Sequence, residues 1–263
     1  MPSQSLEYPK QPYSTVNRYD SRASYSLETI HQIINTSPVL HVSFAAPGGG
    51  DSPFPAVLPM IGQMGSFARP SADTGDVLDL YLHGYVSSRI VNQARGAGSD
   101  GEEEEKKKGL PLTAAATHVD GLVLSLTPNS HSYNYRSAVL FGHAELVTDV
   151  AEKLWAMELI TNSVVRDRWR HTRVPPNGAE MQSTSILRVK IAGGSAKIRS
   201  DMPSDEKADT QDAELVDRVW TGVVPLRLTA GEPLPAPGNR VSEVPAYLRE
   251  HIGEACSGFE VKP

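Results

Sequence analysis

The strongest constraint on this chain is a two-residue alternation of apolar and polar side chains, recurring in short segments that glycine and proline separate. Leu40, Val42 and Phe44 alternate with His41 and Ser43, and Leu78, Leu80 and Leu82 alternate with Asp79, Tyr81 and His83. A period of two sends one set to a buried face and the other to the opposite face, the signature of a strand. Pro47 and three glycines follow the first segment and lead to the apolar run from Ala56 to Ile61, so these two read as a hairpin. A further strand is expected at 112–118, with a turn at Asp120-Gly121 and a hairpin partner through Leu122, Leu124 and Leu126. Strands are also expected at 136–147, near 184–191 and at 220–228, with Gly142 marking a bulge or a close backbone approach. The 21 glycines and 20 prolines supply the turns that so many short segments need.

Helical spacing is confined to a few stretches. Tyr25, Leu27, Ile30, Ile33 and Ile34 repeat at three and four residues, with Ser24 or Ser26 to cap the helix and Pro38 to end it. Ser87-Ser88-Arg89 followed by Ile90, Val91 and Ala94 predicts a short helix opening at a serine cap. Residues 149–165 form the longest predicted helix, their acidic start complementing the helix dipole, and 246–255 a short final one. The order is helix, three strands, short helix, three strands, long helix, two strands. Strands joined mostly by hairpins imply a mainly β (β+α) chain, an antiparallel barrel of six to eight strands with peripheral helices, and not a parallel doubly wound sheet. Residues 1–23 read as an extended arm, 24–232 as one domain, and 233–263 as a proline-rich extension with a short helix. Within the domain, 96–109 carries Glu102–Glu105 and Lys106–Lys108 and reads as a flexible charged surface insertion.

Several function classes are disfavoured. A net charge of −6 lacks the basic excess expected of a nucleic-acid or anionic-membrane binder. Neither a secretory leader nor an 18-residue apolar run is evident. The single cysteine, Cys256, excludes an intrachain disulfide and a cysteine metal cluster, and the eight histidines contain no pair at zinc-like spacing. The expectation is a soluble cytoplasmic protein without a metal centre, whose partner is a small molecule. No nucleophile elbow, Walker loop or dinucleotide fingerprint is present, and no catalytic residue is identified.

Four features carry potential chemistry. His83-Gly84 at a strand end, followed by Ser87-Ser88-Arg89 opening a helix, offers amides, hydroxyls and a guanidinium to a phosphate; the alternative is a serine cap beside a surface arginine. The run Thr113-Ala114-Ala115-Ala116-Thr117-His118 leaves a shallow strand surface for a flat ligand or for an overlying helix. Arg136 in Tyr135-Arg136-Ser137 is either an exposed strand end or a ligand contact. Lys197 and Arg199 put two cations on one face of an extended segment, either as a ligand surface or as a solvated edge.

In order along the chain, Leu80-Tyr81-Leu82-His83-Gly84 with Ser88-Arg89, Thr117-His118-Val119-Asp120-Gly121-Leu122-Val123-Leu124, Asn134-Tyr135-Arg136-Ser137 with Phe141-Gly142, Ala196-Lys197-Ile198-Arg199 and Trp220-Thr221-Gly222-Val223 resemble the flavin-nucleotide-binding branch of the pyridoxamine 5′-phosphate oxidase-like superfamily. That branch includes the nitroimidazole-resistance (Nim) flavoproteins, and the resemblance spans roughly residues 24–232. It implies an FMN-binding split β-barrel, usually a homodimer with flavin sites at the subunit interface, acting as an oxidoreductase on a small organic substrate such as a nitroaromatic. By carry-over, Ser88 and Arg89 bind the FMN phosphate with His83 and Ser87 nearby. Pro59 and Met60 pass along the isoalloxazine, Thr117 and His118 belong to a site block, and Ser137 beside Arg136 faces the flavin. Lys197 lies in a further block, and Trp220 completes the pocket from the neighbouring subunit. A second reading is a non-catalytic flavin- or haem-binding carrier or sensor, with His83 and His118 as candidate iron ligands. A third is a pyridoxamine phosphate oxidase, against which stand Ile90 at the second phosphate-cation position and Arg227-Leu228-Thr229 in place of an arginine-leucine-histidine run.

Overall fold

In a computed structural model that describes residues 5–45, 54–97 and 109–257, the alternating segments become nine strands of one sheet. In chain order the elements are β1 (Ala23–Ser24), α1 (Leu27–Thr36), β2 (Leu40–Phe44), β3 (Ala56–Met60), β4 (Gly62–Gly65), β5 (Asp79–Tyr85), α2 (Arg89–Gly96), β6 (Leu110–Leu124), β7 (Ser132–Leu146), α3 (Val150–Val164), α4 (Gly178–Ser183), β8 (Thr184–Arg199), α5 (Lys207–Thr210), α6 (Ala213–Arg218), β9 (Gly222–Pro225) and α7 (Ala246–Ser257). Most of the expected charged insertion, the Pro47 and glycine turn, the first four residues of the arm and the last six of the chain lie outside the described residues. Among the described residues no helix is long and apolar enough to cross a membrane.

The main strand order is β3-β2-β6-β7-β8-β5-β4, with β1 added against β8 and β9 against β6. Pairings β2–β3, β2–β6, β4–β5 and β5–β8 are antiparallel. The arrangement is the expected split barrel: its outermost strands, β3 and β4, are consecutive in the chain and joined through Ile61 alone. Gly62 follows because a Cβ there would lie 2.5 Å from Leu82 Cδ2 and 2.9 Å from the Tyr81 carbonyl oxygen. The chain divides into two compact units, one of Met1–His118, Ser137–Val164 and Arg168–Lys197, the other of Val119–Arg136, Val165–Asp167 and Ile198–Pro263.

In the first unit, register assigns each residue of β5 to a face. Leu80 pairs with Met64 and Val189, and Leu82 with Gly62 and Leu187, so these share a buried face. Tyr81 and His83, paired with Arg188 and Ile186, point the other way. That second face is covered by α3: Tyr81, Val147, Ala156, Ile160 and Ile186 form a buried cluster with Phe67, Trp155 and Met157 against it. Asp149 caps α3 by accepting from the Glu152 amide at 2.7 Å. Helix α1 buries Leu27, Ile30, His31, Ile33 and Ile34, the spacing that predicts it, and Ser26 occupies its cap.

The N-terminal arm is more firmly held than its composition suggests. Leu27 N–H donates to the Leu6 carbonyl and Tyr8 N–H to that of Tyr25, each at 2.9 Å, and Tyr8 is buried. The Tyr8 hydroxyl lies 2.7 Å from His31 Nε2, while His31 Nδ1 lies 2.8 Å from the Thr74 carbonyl oxygen. A carbonyl only accepts, so Nδ1 carries the proton and Nε2 accepts from the tyrosine. Burial lowers the His31 pKa from its usual 6.5 and raises that of Tyr8. The unfolded chain therefore binds a proton at His31 more readily than the folded one. Its contribution is fully present above about pH 7 and declines as pH falls below the unfolded value of about 6.5. Denaturant midpoints followed from pH 7.5 to 5 should fall with pH, and His31→Gln should flatten that slope; an unaltered slope would assign the dependence to other groups.

In the second unit the expected turn at Asp120-Gly121 is absent, because β6 runs straight through both residues. Asp120 takes a bidentate ion pair from Arg136, at 2.9 Å from Nε and 2.8 Å from Nη2. Gly121 pairs with Pro225 of β9, and a Cβ there would lie 3.0 Å from Val223 Cγ1. The glycine thus serves strand contact, and the chain reverses later, through the 3-10 turn at Pro128–Ser130.

Candidate functional site

The end of β5 and the start of α2 build a concave cradle in the first unit. Gly84 belongs to the same face as Leu80 and Leu82, and an added methyl there would make ordinary van der Waals contacts. A Cβ at this position would sit 3.5 Å from Ser88 Oγ, 3.5 Å from Val91 Cγ2 and 3.8 Å from Met60 Cε. Met60 and Ser88, two residues singled out in the sequence, are thereby brought together around Gly84.

Ser88 occupies the cap position of α2 with extended backbone, yet its side chain makes no capping bond. The first helical bond runs from the Asn92 amide to the Ser88 carbonyl at 3.0 Å, so the amides of residues 89, 90 and 91 precede it. Ser88 Oγ itself is buried without a hydrogen-bond partner among the described residues. Leaving a buried hydroxyl unsatisfied costs roughly 1–3 kcal/mol, which an acceptor placed at the helix end would relieve. Arg89 is exposed at the same end and carries a positive charge to it. Ile90, where a second phosphate cation would stand, is fully buried. Amides, hydroxyl and guanidinium together suit an anion.

The other expected residues are distributed differently. Ser87 is exposed, and its carbonyl accepts from Asn92 Nδ2 at 3.1 Å. Pro59 and Met60 lie on opposite faces of β3: Met60 is buried, whereas Pro59 is exposed and stands in register with His41 and Ala115. The row Pro59, His41, Ala115 and the row Val57, Ser43, Thr113 make a smooth outward surface across β3, β2 and β6. Ala114 and Ala116 face inward and are buried, so only the middle alanine contributes to that surface. Thr117 is exposed beyond it. His118 is engaged elsewhere, its Nε2 at 3.2 Å from the Ile33 carbonyl and 3.3 Å from Thr36 Oγ1, where it closes the C-terminus of α1.

Ser137 Oγ donates to the Lys197 carbonyl at 3.1 Å, and Lys197 Nζ donates to the Arg18 carbonyl at 2.8 Å beside the Tyr19 ring. In the second unit Arg136 is committed to Asp120, and Trp220 is 64% exposed with its ring packed over Gly222. Sequence reasoning passed over Gln93 on α2, whose amide oxygen and nitrogen are both buried without partners among the described residues. A glutamine adds nothing to the apolar stripe of Ile90, Val91 and Ala94 on this helix, so nothing in the pattern would have found it.

His83 is separated from Ser88 by the alternation of β5, which turns its side chain toward α3. There it lines a groove of about 270 Å³ with Met157, Ile160, Val164, Arg168 and Ile186. The residue is exposed overall, but the apolar surroundings desolvate its ring and lower its pKa.

The family described as pyridoxamine 5′-phosphate oxidase matches residues 26–198, from the cap of α1 to the end of β8. The chain belongs to this family. Within that oxidase family match lie both the Gly84–Ser88 cradle and the His83 groove, whereas Trp220 falls beyond it. No curated protein sequence matches the chain. Among solved structures it is similar to the flavocytochrome Anf3 from Azotobacter vinelandii, at 25% identity over 92% of this chain and 97% of that one, with a TM-score of 0.70. It is also similar to an FAD and heme binding protein from Mycobacterium smegmatis, at 26% identity over 88% of this chain and 97% of that one, with a TM-score of 0.67.

Proposed function

We propose that this oxidase-family member is a flavin-binding redox protein that grips its cofactor by the phosphate at the N-terminus of α2. The observation that carries the reading is the buried Ser88 hydroxyl, without a partner among the described residues, at a helix start that also presents first-turn amides preceding the first helical bond, together with Arg89. The smooth face around Pro59 and Ala115 suits a planar ring, and the flavin supplies the electron-transfer chemistry, so no side-chain nucleophile is needed. FMN is the cofactor the family resemblance implies; similarity to an FAD and heme binding protein over most of the chain favours FAD. The substrate in this reading is a small organic molecule, with nitroaromatics assayed first against reduced nicotinamide, and the assembly is a homodimer.

The test is flavin titration of the purified chain, read at about 450 nm, the flavin's own absorbance. Chromatography of flavin released from the saturated protein distinguishes FMN from FAD. Arg89→Ala removes a charge-assisted bond of about 1.5–3 kcal/mol and should weaken binding roughly ten- to a hundredfold. No retained flavin, or an unchanged dissociation constant in folded Arg89→Ala, would overturn the assignment of the phosphate to this helix end.

A second reading adds a haem. Its specific support is the similarity to a flavocytochrome and to an FAD and heme binding protein, each over about nine-tenths of this chain.

A further inference from the structure

We propose that the groove between β5, β8 and α3 is a haem site in which the His83 imidazole ligates the iron. The proposal rests on the second reading above and goes beyond it by naming the residues. A haem pocket needs a nitrogen lone pair for the metal, apolar side chains over the porphyrin, and a cation for its carboxylates.

Each requirement has a residue. The His83 imidazole has no hydrogen-bond partner among the described residues, the residue's one loop contact being its backbone amide on the Ile61 carbonyl at 3.3 Å, and strand alternation delivers the ring to the groove. Met157, Ile160, Thr161 and Val164 line the same groove at spacings of three, four and seven, so one stripe of α3 forms its wall. Ile186, in register with His83 across β5 and β8, continues that apolar wall on the sheet side. Arg168 also lines the groove and provides the positive charge. Its volume of about 270 Å³ accommodates part of a tetrapyrrole, leaving the remaining edge toward solvent.

Two other histidines are already engaged elsewhere. His118 closes α1 through its Nε2, and both ring nitrogens of His31 are engaged by Tyr8 and Thr74. A bare metal ion requires several protein ligands, and no group of three histidine, cysteine, aspartate or glutamate residues suited to one occurs among the described residues. Iron in a porphyrin brings four nitrogens of its own, so one imidazole in an apolar cleft is enough.

Hemin (ferric protoporphyrin IX) titrated into the full chain should give a saturable one-to-one change in the Soret band. His83→Ala should weaken that binding at least tenfold and move the band, and free imidazole should restore the spectrum in His83→Gly. Thr161→Trp, which fills the groove from the helix side without touching the ligand, should also abolish binding, whereas His118→Ala should leave it unchanged. Flavin absorbance and circular dichroism recorded on the same samples report on the cradle and the fold. Absence of a saturable Soret change in the wild type would overturn the haem reading together with this site. A wild-type Soret change that persists in His83→Ala or in Thr161→Trp would overturn the site alone.

Discussion

Glu152→Ala is expected to lower the free energy of unfolding by about 3 kcal/mol, the scale for removing one partner of a buried charge pair. Glu152 is buried at the start of α3, and its Oε1 accepts from both the Tyr81 hydroxyl and Arg188 Nη1, each at 2.9 Å. Arg188 Nη2 reaches Glu145 at 3.1 Å, and Lys190 joins the same glutamate at 3.3 Å. Removing the carboxylate would leave a tyrosine hydroxyl and half a guanidinium facing apolar side chains of the Tyr81 cluster. Glu152→Gln keeps an acceptor for Tyr81 but loses the charge, so it should fall between alanine and wild type. Urea denaturation of the three proteins decides the matter, and a loss below about 1 kcal/mol would place this network among solvated surface pairs.

Gly142→Ala is expected to cost about 2–3 kcal/mol through overpacking. A Cβ at Gly142 would lie 2.5 Å from the Lys190 carbonyl oxygen and 2.8 Å from Val189 Cγ1, so backbone as well as side chain on β8 would have to shift. Gly178 is the matched control: it opens α4 with nothing within 4 Å of an added methyl among the described residues, and Gly178→Ala should stay within about 0.5 kcal/mol of wild type. Thermal melting of both variants provides the comparison. Equal stability of Gly142→Ala and wild type would mean that β7 and β8 can separate without penalty.

Much of this architecture is legible from local chemistry. Residues at 40–44 and 77–83 carry a period of two that marks a half-buried strand, 56–61 reads as an apolar run paired to the first of them, and α1 combines a serine cap, a helical stripe and a terminating proline. The Asp120-Gly121 pair misleads because its two residues favour a turn in isolation. In the fold, distant partners claim them: Arg136 takes the aspartate side chain and β9 needs the missing glycine side chain. The arm at 1–23 is similarly opaque, since the burial of Tyr8 depends on His31 and Thr74 rather than on any neighbour in sequence. At the candidate site, the resemblance names Ser88 and Met60, and the fold brings both beside Gly84. The separation of His83 from Ser88, and of Pro59 from Met60, follows from strand alternation and is deducible at 83–84 and 59–60 from the chain alone. The ion pair at Arg136 and the carbonyl contacts of Ser137 and Lys197 are not, because each joins segments at least sixteen residues apart.

The one-residue joint at Ile61 couples two registers that are independent in most sheets. Because β3 pairs with β2 and β4 with β5, a slip of the chain at this point would displace Met60 from Leu40 and Gly62 from Leu82 together. Gly62 tolerates no side chain at its position, so the slipped alignment would drive Ile61 or Gln63 into the space beside Leu82. The joint therefore acts as a ruler: it measures both edges from one origin and holds Met60 at a constant distance from the helix end that carries Ser88.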